Sequence, residues 1–187
     1  MDLVRKMDRL LGVGAVKQLR SDHGTEFRNS TLVNFCADLG VSQNFSAVRT
    51  PEQNGVAERR NRTLIEAART MLVGSGLRKG FWTEAIAAAC YTQNRSIIVK
   101  HRNKTPYELF HGRKPRVSHF RVFGSPCFVL NQRDALGKFD AKSDDATFVG
   151  YSDISAAYRV YNLRRLVVEE SAIVTFNEQA EMPSAES

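Results

Sequence analysis

Apolar residues recur along the first two thirds of the chain at helical and at strand spacing in turn. Leu3, Met7, Leu10 and Leu11 repeat as one face of a helix over Asp2 to Leu11. Val16 to Arg20 (VKQLR) is a short apolar and polar run ended by the turn formers Ser21-Asp22-His23-Gly24, which predicts a strand with the Asp22 carboxylate at its C-terminal tip. Asn29-Ser30 offer caps to a helix of about ten residues, with Leu32, Phe35, Cys36 and Leu39 at helical spacing and Gly40 as its stop. Val41 to Phe45 returns as a second strand. Strand, helix, strand is a βαβ unit, whose right-handed crossover makes the two strands parallel.

A loop, Ser46 to Gly55, follows, in which Pro51, Asn54 and Gly55 stop regular structure. In Val56 to Val73, the residues Leu64, Ala67, Ala68, Met71 and Leu72 form an apolar stripe, while Glu58, Arg59, Arg60, Asn61 and Arg62 fill the first turns. At 100° per residue Glu58, Arg62, Ile65 and Arg69 share a face. A further helix is predicted over Phe81 to Ile98, with Trp82 and Phe81 as core aromatics or as a base-stacking pair, and a helical turn over Pro106 to Phe110. Past Arg113-Lys114-Pro115-Arg116 the pattern changes to short runs, Phe120 to Leu130, Thr147 to Tyr151, Tyr158 to Tyr161 and Leu166 to Phe176, separated by turn-rich loops such as the acidic Asp140 to Asp145. Such runs predict a small antiparallel barrel or curled sheet, with Tyr151, Tyr158 and Tyr161 among its builders or, alternatively, as nucleic-acid contacts. The expected organisation is an α/β domain over residues 1–116, a small all-β module over 117–178 and a tail over 179–187.

Composition narrows the class. With 42% hydrophobic and 25% charged residues, and 12 Gly and 5 Pro in 187 residues, the chain has the make-up of a folded globular protein. Its three cysteines, Cys36, Cys90 and Cys127, are far apart and form no C-x-x-C pair, so neither a disulfide framework nor a zinc site is expected. The apolar run Ala85 to Cys90 is far short of the roughly 20 residues of a membrane span, and Met1 to Leu11 does not read as a signal peptide. An intracellular chain, not secreted and with no membrane partner, is the expectation.

The net charge of +7 is unevenly distributed. Residues 1–75 carry 11 basic and 8 acidic side chains, 76–119 carry 9 and 2, and 120–187 carry 7 and 10. A basic middle stretch is the footprint of a polyanion binder, since Lys and Arg contacts to phosphates release counterions. Solvated basic helix faces give the same count.

Asp22 and Glu58, one at a strand tip and one in a helix's first turn, could together present hard oxygen ligands to a divalent cation at a phosphoryl-transfer site. Twenty acidic residues generate many such pairs, most of them surface charge. The surrounding residues are more specific. Ser21-Asp22-His23-Gly24-Thr25-Glu26-Phe27 and Thr50-Pro51-Glu52-Gln53-Asn54-Gly55-Val56-Ala57-Glu58-Arg59, with 35 residues between the two carboxylates, resemble the integrase of copia-type LTR retrotransposons. The similarity continues through Asn61-Arg62-Thr63, Phe81-Trp82, Asn103-Lys104-Thr105-Pro106-Tyr107-Glu108-Leu109, His119-Phe120-Arg121-Val122-Phe123-Gly124, Lys138-Phe139-Asp140 and Phe148-Val149-Gly150-Tyr151.

The resemblance implies a partial ribonuclease H-like integrase core, with its first strands missing, followed by an SH3-like barrel. It also implies two-metal catalysis with Mg2+ or Mn2+, with Asp22 and Glu58 as second and third carboxylates, at once catalytic residues and metal ligands. Gln53, Asn54, Arg59, Arg60 and Arg62 would contact DNA, both element ends and target. His23 is either a water-orienting residue or a turn histidine bonded to backbone. Nuclear localisation follows from the same resemblance, and self-association from the unpaired edge that missing first strands would leave on Val16 to Arg20. The family's first aspartate has no counterpart here: Asp2 and Asp8 lie in the first helix. The expectation is therefore an integrase fragment that binds DNA but is catalytically incomplete. The alternatives are a non-catalytic nucleic-acid-binding or protein-interaction module, and a transferase whose first aspartate comes from another chain.

Overall fold

The computed structural model describes residues 2–12, 14–21, 24, 25, 27–45, 55–131 and 142–177. The chain divides into two compact units, the first comprising Met1–Arg62 and Phe110–Gly112, the second Thr63–Leu109 and Arg113–Ser187.

In the first unit, helix α1 (Asp2–Leu11) precedes strand β1 (Gln18–Ser21), helix α2 (Ser30–Asp38) and strand β2 (Ser42–Phe45). Asn29 caps α2: its side-chain oxygen accepts from the Leu32 amide at 2.8 Å, satisfying one of the donors a helix start leaves open. Gly40 ends the helix turn at φ +66°, which lets the Val41 amide reach back to the Cys36 carbonyl at 2.8 Å. The chain is thereby turned into β2, which pairs parallel with β1, Gln18 opposite Ser42 through Ser21 opposite Phe45. Val4, Phe35, Cys36 and Val41 form the core of this unit, with Val16, Leu19 and Leu32 packed against it.

Helix α3 (Gly55–Ser75) begins in the first unit and continues into the second, where a 3-10 turn (Lys79–Phe81) leads into α4 (Trp82–Ser96), and α5 (Pro106–His111) follows. Five strands come next: β3 (Pro126–Leu130), β4 (Ser143–Tyr151), β5 (Tyr158–Asn162), β6 (Val167–Ser171) and β7 (Val174–Phe176). They form one antiparallel sheet in the order β6-β5-β4-β3-β7. Ala68 and Leu72 of α3, Ala85 and Ala88 of α4, Phe123 and Val149 make one core, with Trp82 and Tyr161 packed on it. Cys127, Val129, Ala146, Phe148, Tyr151 and Val160 make a second core on the sheet, with Tyr158 against it. Arg159 ties the sheet to α4 through Glu84 at 3.0 Å and to β6 through Glu170 at 3.2 Å.

Three expectations need correction. Phe120 to Leu130 is a strand only from Pro126, because Gly124 takes φ +87° and breaks the extended run. The acidic stretch ending at Asp145 enters β4: Asp144 is buried there because Arg164 reaches its carboxylate at 2.8 Å and Asn162 donates to it at 2.9 Å. Leu166 to Phe176 is two strands, divided where the Ser171 hydroxyl bonds the backbone of Ile173. Among the described residues no helix is long and apolar enough to cross a membrane.

Candidate functional site

The first turns of α3 carry the described part of the site. Glu58 is an exposed carboxylate in the helix's first turn, where the aligned peptide dipoles favour negative charge. Arg59 and Arg62 are exposed and Arg60 is half-buried. Ile65 remains 39% exposed, so the face shared by Glu58 and Arg62 continues without burial into the next turn. The apolar stripe lies elsewhere on the helix, with Ala68 fully buried and Leu72 nearly so. Glu58 and Arg62 are thus displayed by a helix that other residues anchor.

Asp22, His23, Gln53 and Asn54 lie outside the described residues. Asp22 is next in sequence after Ser21, the last residue of β1. The carboxylate of Glu58 has the donor chemistry a hard divalent cation takes, oxygen open to solvent on a fixed helix turn. Among the described residues no group of three or more His, Cys, Asp or Glu side chains could hold a metal ion. Asp8, in α1, accepts from the Ala15 amide at 3.1 Å and so serves the chain's exit from that helix.

The basic middle stretch resolves into a feature that sequence reasoning did not name: Arg95 of α4 and Arg113, Lys114 and Arg116 line one cleft of the second unit. The signal for it was Thr105-Pro106-Tyr107-Glu108. This is a capping box in which Thr105 accepts from the Glu108 amide at 3.1 Å and Glu108 accepts from the Thr105 amide at 2.8 Å, with Pro at the first helical position. These bonds hold the Glu108 carboxyl below the usual range.

A βαβ unit followed by a helix that carries an exposed carboxylate beside arginines, and a second unit ending in a five-stranded antiparallel sheet, make an α/β protein. Residues 125–187 match the family model described as the retroviral polymerase SH3-like domain. The chain is 36% identical over 163 residues to the retrovirus-related Pol polyprotein from transposon TNT 1-94 of Nicotiana tabacum, covering 87% of this chain and 12% of that protein. It is 32% identical over 158 residues to the Pol polyprotein from transposon RE1 of Arabidopsis thaliana, covering 84% and 11%. Among solved structures, the magnesium complex of the HTLV-2 integrase catalytic core domain, a trimeric form, matches with TM-score 0.44 and 18% identity over 58% of this chain and 67% of that one. The catalytic core domain of BIV integrase matches with TM-score 0.42 and 24% identity over 58% and 68%. The chain is homologous to retrovirus-related Pol polyproteins of copia-type transposons, and it spans about a tenth of the length of those relatives.

Proposed function

We propose that this chain is part of a retrotransposon integrase that joins DNA by polynucleotidyl transfer, within a ribonuclease H-like core. Asp22 and Glu58 are the catalytic carboxylates it contributes, and Arg59, Arg60, Arg62, Gln53 and Asn54 contact the DNA. The observation that carries the reading is Glu58, exposed in the first turn of α3 with Arg59, Arg60 and Arg62 on the same and next turns. A carboxylate in solvent beside cations suits a metal-and-phosphate site better than a structural ion pair. Asp22 and Glu58 would hold Mg2+ or Mn2+, which supplies charge stabilisation and an activated oxygen nucleophile in this class of reaction. The arginines neutralise and position the phosphate backbone. The proposed reaction acts on two DNA partners, the element end and chromosomal target, and the proposal includes a nuclear location for it.

Such a site uses three carboxylates, of which the reading assigns two, Asp22 and Glu58; Asp8 is engaged as a helix-end acceptor. We therefore expect the chain alone to bind divalent metal and DNA without joining ends. Calorimetry with Mn2+ should show binding that Asp22→Asn or Glu58→Gln abolishes while circular dichroism stays unchanged. Metal binding that survives both substitutions, or end joining by the chain alone with Mg2+, would overturn the assignment or the incompleteness respectively.

A further inference from the structure

We infer that the cleft of the second unit formed by α4, α5, the segment 113–119 and the β4–β5 connection binds the phosphodiester backbone of nucleic acid, with Arg95 as its pre-set phosphate contact. The choice of nucleic acid over another polyanion rests on the DNA-joining reading. The site itself does not, because it lies apart in sequence from Glu58 and its cationic lining needs no metal.

The cleft measures about 690 Å³ and is lined by Arg95, Arg113, Lys114 and Arg116, and among the described residues no carboxylate lines it. That volume suits a short piece of strand rather than an ion. His119, also in the wall, adds no charge near neutral pH: burial, then Arg95 and Arg121, hold its pKa below the ordinary imidazole value.

Arg95 is held in place before any ligand arrives. Its guanidinium carbon lies 3.4 Å from the Tyr91 ring centroid and 4.7 Å from that of Tyr107. The opposite face of Tyr91 is covered by Tyr151, parallel within 13° at 4.1 Å, since the guanidinium and a stacked ring cannot share one face. Nη1 of Arg95 also donates to the Tyr91 carbonyl at 3.1 Å. Tyr107 is fixed in turn by the Thr105 and Glu108 capping box on α5. A free arginine gives up rotamer entropy when it binds. Here much of that ordering is complete in the folded protein, which is how a preorganised contact gains affinity.

The same stack dictates what the cleft cannot read. Both faces of Tyr91 are covered, and the Tyr158 hydroxyl donates to the His119 carbonyl at 3.0 Å. Base stacking on Tyr91 is therefore closed. What the cleft offers is dense positive charge, which fits a backbone of regularly spaced phosphates and is indifferent to sequence.

The test is fluorescence anisotropy on the full chain in EDTA, with single-stranded 12-mers of two unrelated sequences, titrated across roughly 50–200 mM salt. We expect Arg95→Ala to weaken binding about tenfold and to lower the salt slope by about one unit. Tyr107→Ala should weaken binding several-fold with the slope unchanged, because the charge stays and only its ordering is lost. Arg113→Ala with Arg116→Ala, both at exposed positions, should lower the slope by about two even if Arg95→Ala unfolds the chain. Because the titration is run in EDTA, without divalent metal, loss of the metal-site reading leaves this result untouched. The inference falls if these cleft variants bind as wild type. It also falls if the two sequences differ more than tenfold in affinity, or if a poly-glutamate peptide of equal charge, or inorganic phosphate at equal phosphate concentration, competes as well as the oligonucleotide.

Discussion

Gly124 stands against Ser75 so closely that a β-carbon on Gly124 would overlap the β-carbon of Ser75 and come within 3.1 Å of its α-carbon. Ser75 is the buried last residue of α3, its hydroxyl donating to the Leu72 carbonyl at 3.1 Å. The Gly124 amide donates to the Phe148 carbonyl at 2.8 Å. A glycine is thus required twice, by close approach and by φ +87°.

Gly124→Ala should therefore destabilise the second unit by about 2–5 kcal/mol, combining overpacking with an unfavourable left-handed backbone. Pairing it with Ser75→Gly should recover the steric part and leave the backbone part. A double-mutant cycle in urea reads the two contributions separately. Additive losses would show that the two residues do not share a contact.

The buried side chain of Asn162 holds four hydrogen bonds. It donates to Asp144 and Glu169 at 2.9 Å each and accepts from the amides of Arg164 and Arg165 at 3.0 Å each. Asn162→Ala should cost about 2–4 kcal/mol, because two carboxylates lose a donor in a site removed from water. Asn162→Asp should cost more at pH 7, since it sets a third carboxylate against the other two, and the difference should shrink as the pH falls and carboxylates protonate. Equal losses for both variants at pH 7 would contradict this.

Much of the fold was legible in the sequence where local chemistry decides it. Asn29 and Gly40 bracket α2, and the stripe Leu64, Ala68, Leu72 fixes the buried side of α3 and so the exposure of Glu58. What escaped was set by distant partners. Asp144 reads as loop until Arg164, twenty residues on, pairs with it in β4. Arg95 reads as one charge in a basic stretch, because the rings that order it, Tyr91, Tyr107 and Tyr151, come from three separate segments.

His119 gives the second unit a pH dependence. Its Nε2 and the Tyr91 hydroxyl are 2.9 Å apart, Arg95 and Arg121 bear on it electrostatically, and the rings of Phe120 and Tyr151 pack around it. Burial first, then the two arginines, lower its pKa in the folded state. The unfolded chain therefore binds a proton at a pH where the folded one does not. The stability His119 contributes is present above the ordinary imidazole value of 6.5 and is lost as the pH falls below it. Thermal melts from about pH 7.5 to 5 should drop more steeply for wild type than for His119→Gln. Parallel curves would remove His119 as the cause.

The edge of β1 leads to a prediction about assembly. Among the described residues β2 is its one strand partner, in a two-stranded parallel sheet. Such a pair is marginal alone, and an open edge is a template for another chain. The ladder toward β2 starts with the Ser42 amide donating to the Lys17 carbonyl at 3.0 Å. By the alternation of a parallel ladder, the Gln18 amide points to the other edge. Gln18→Pro would remove that outward donor at the first residue of the strand, a position where proline is tolerated within its own sheet. We expect the wild-type chain to associate with rising concentration in light scattering after size exclusion, and Gln18→Pro to weaken association several-fold with an unchanged circular dichroism spectrum. A wild type that stays monomeric to high concentration, or a variant that associates as strongly, would locate any assembly surface away from β1.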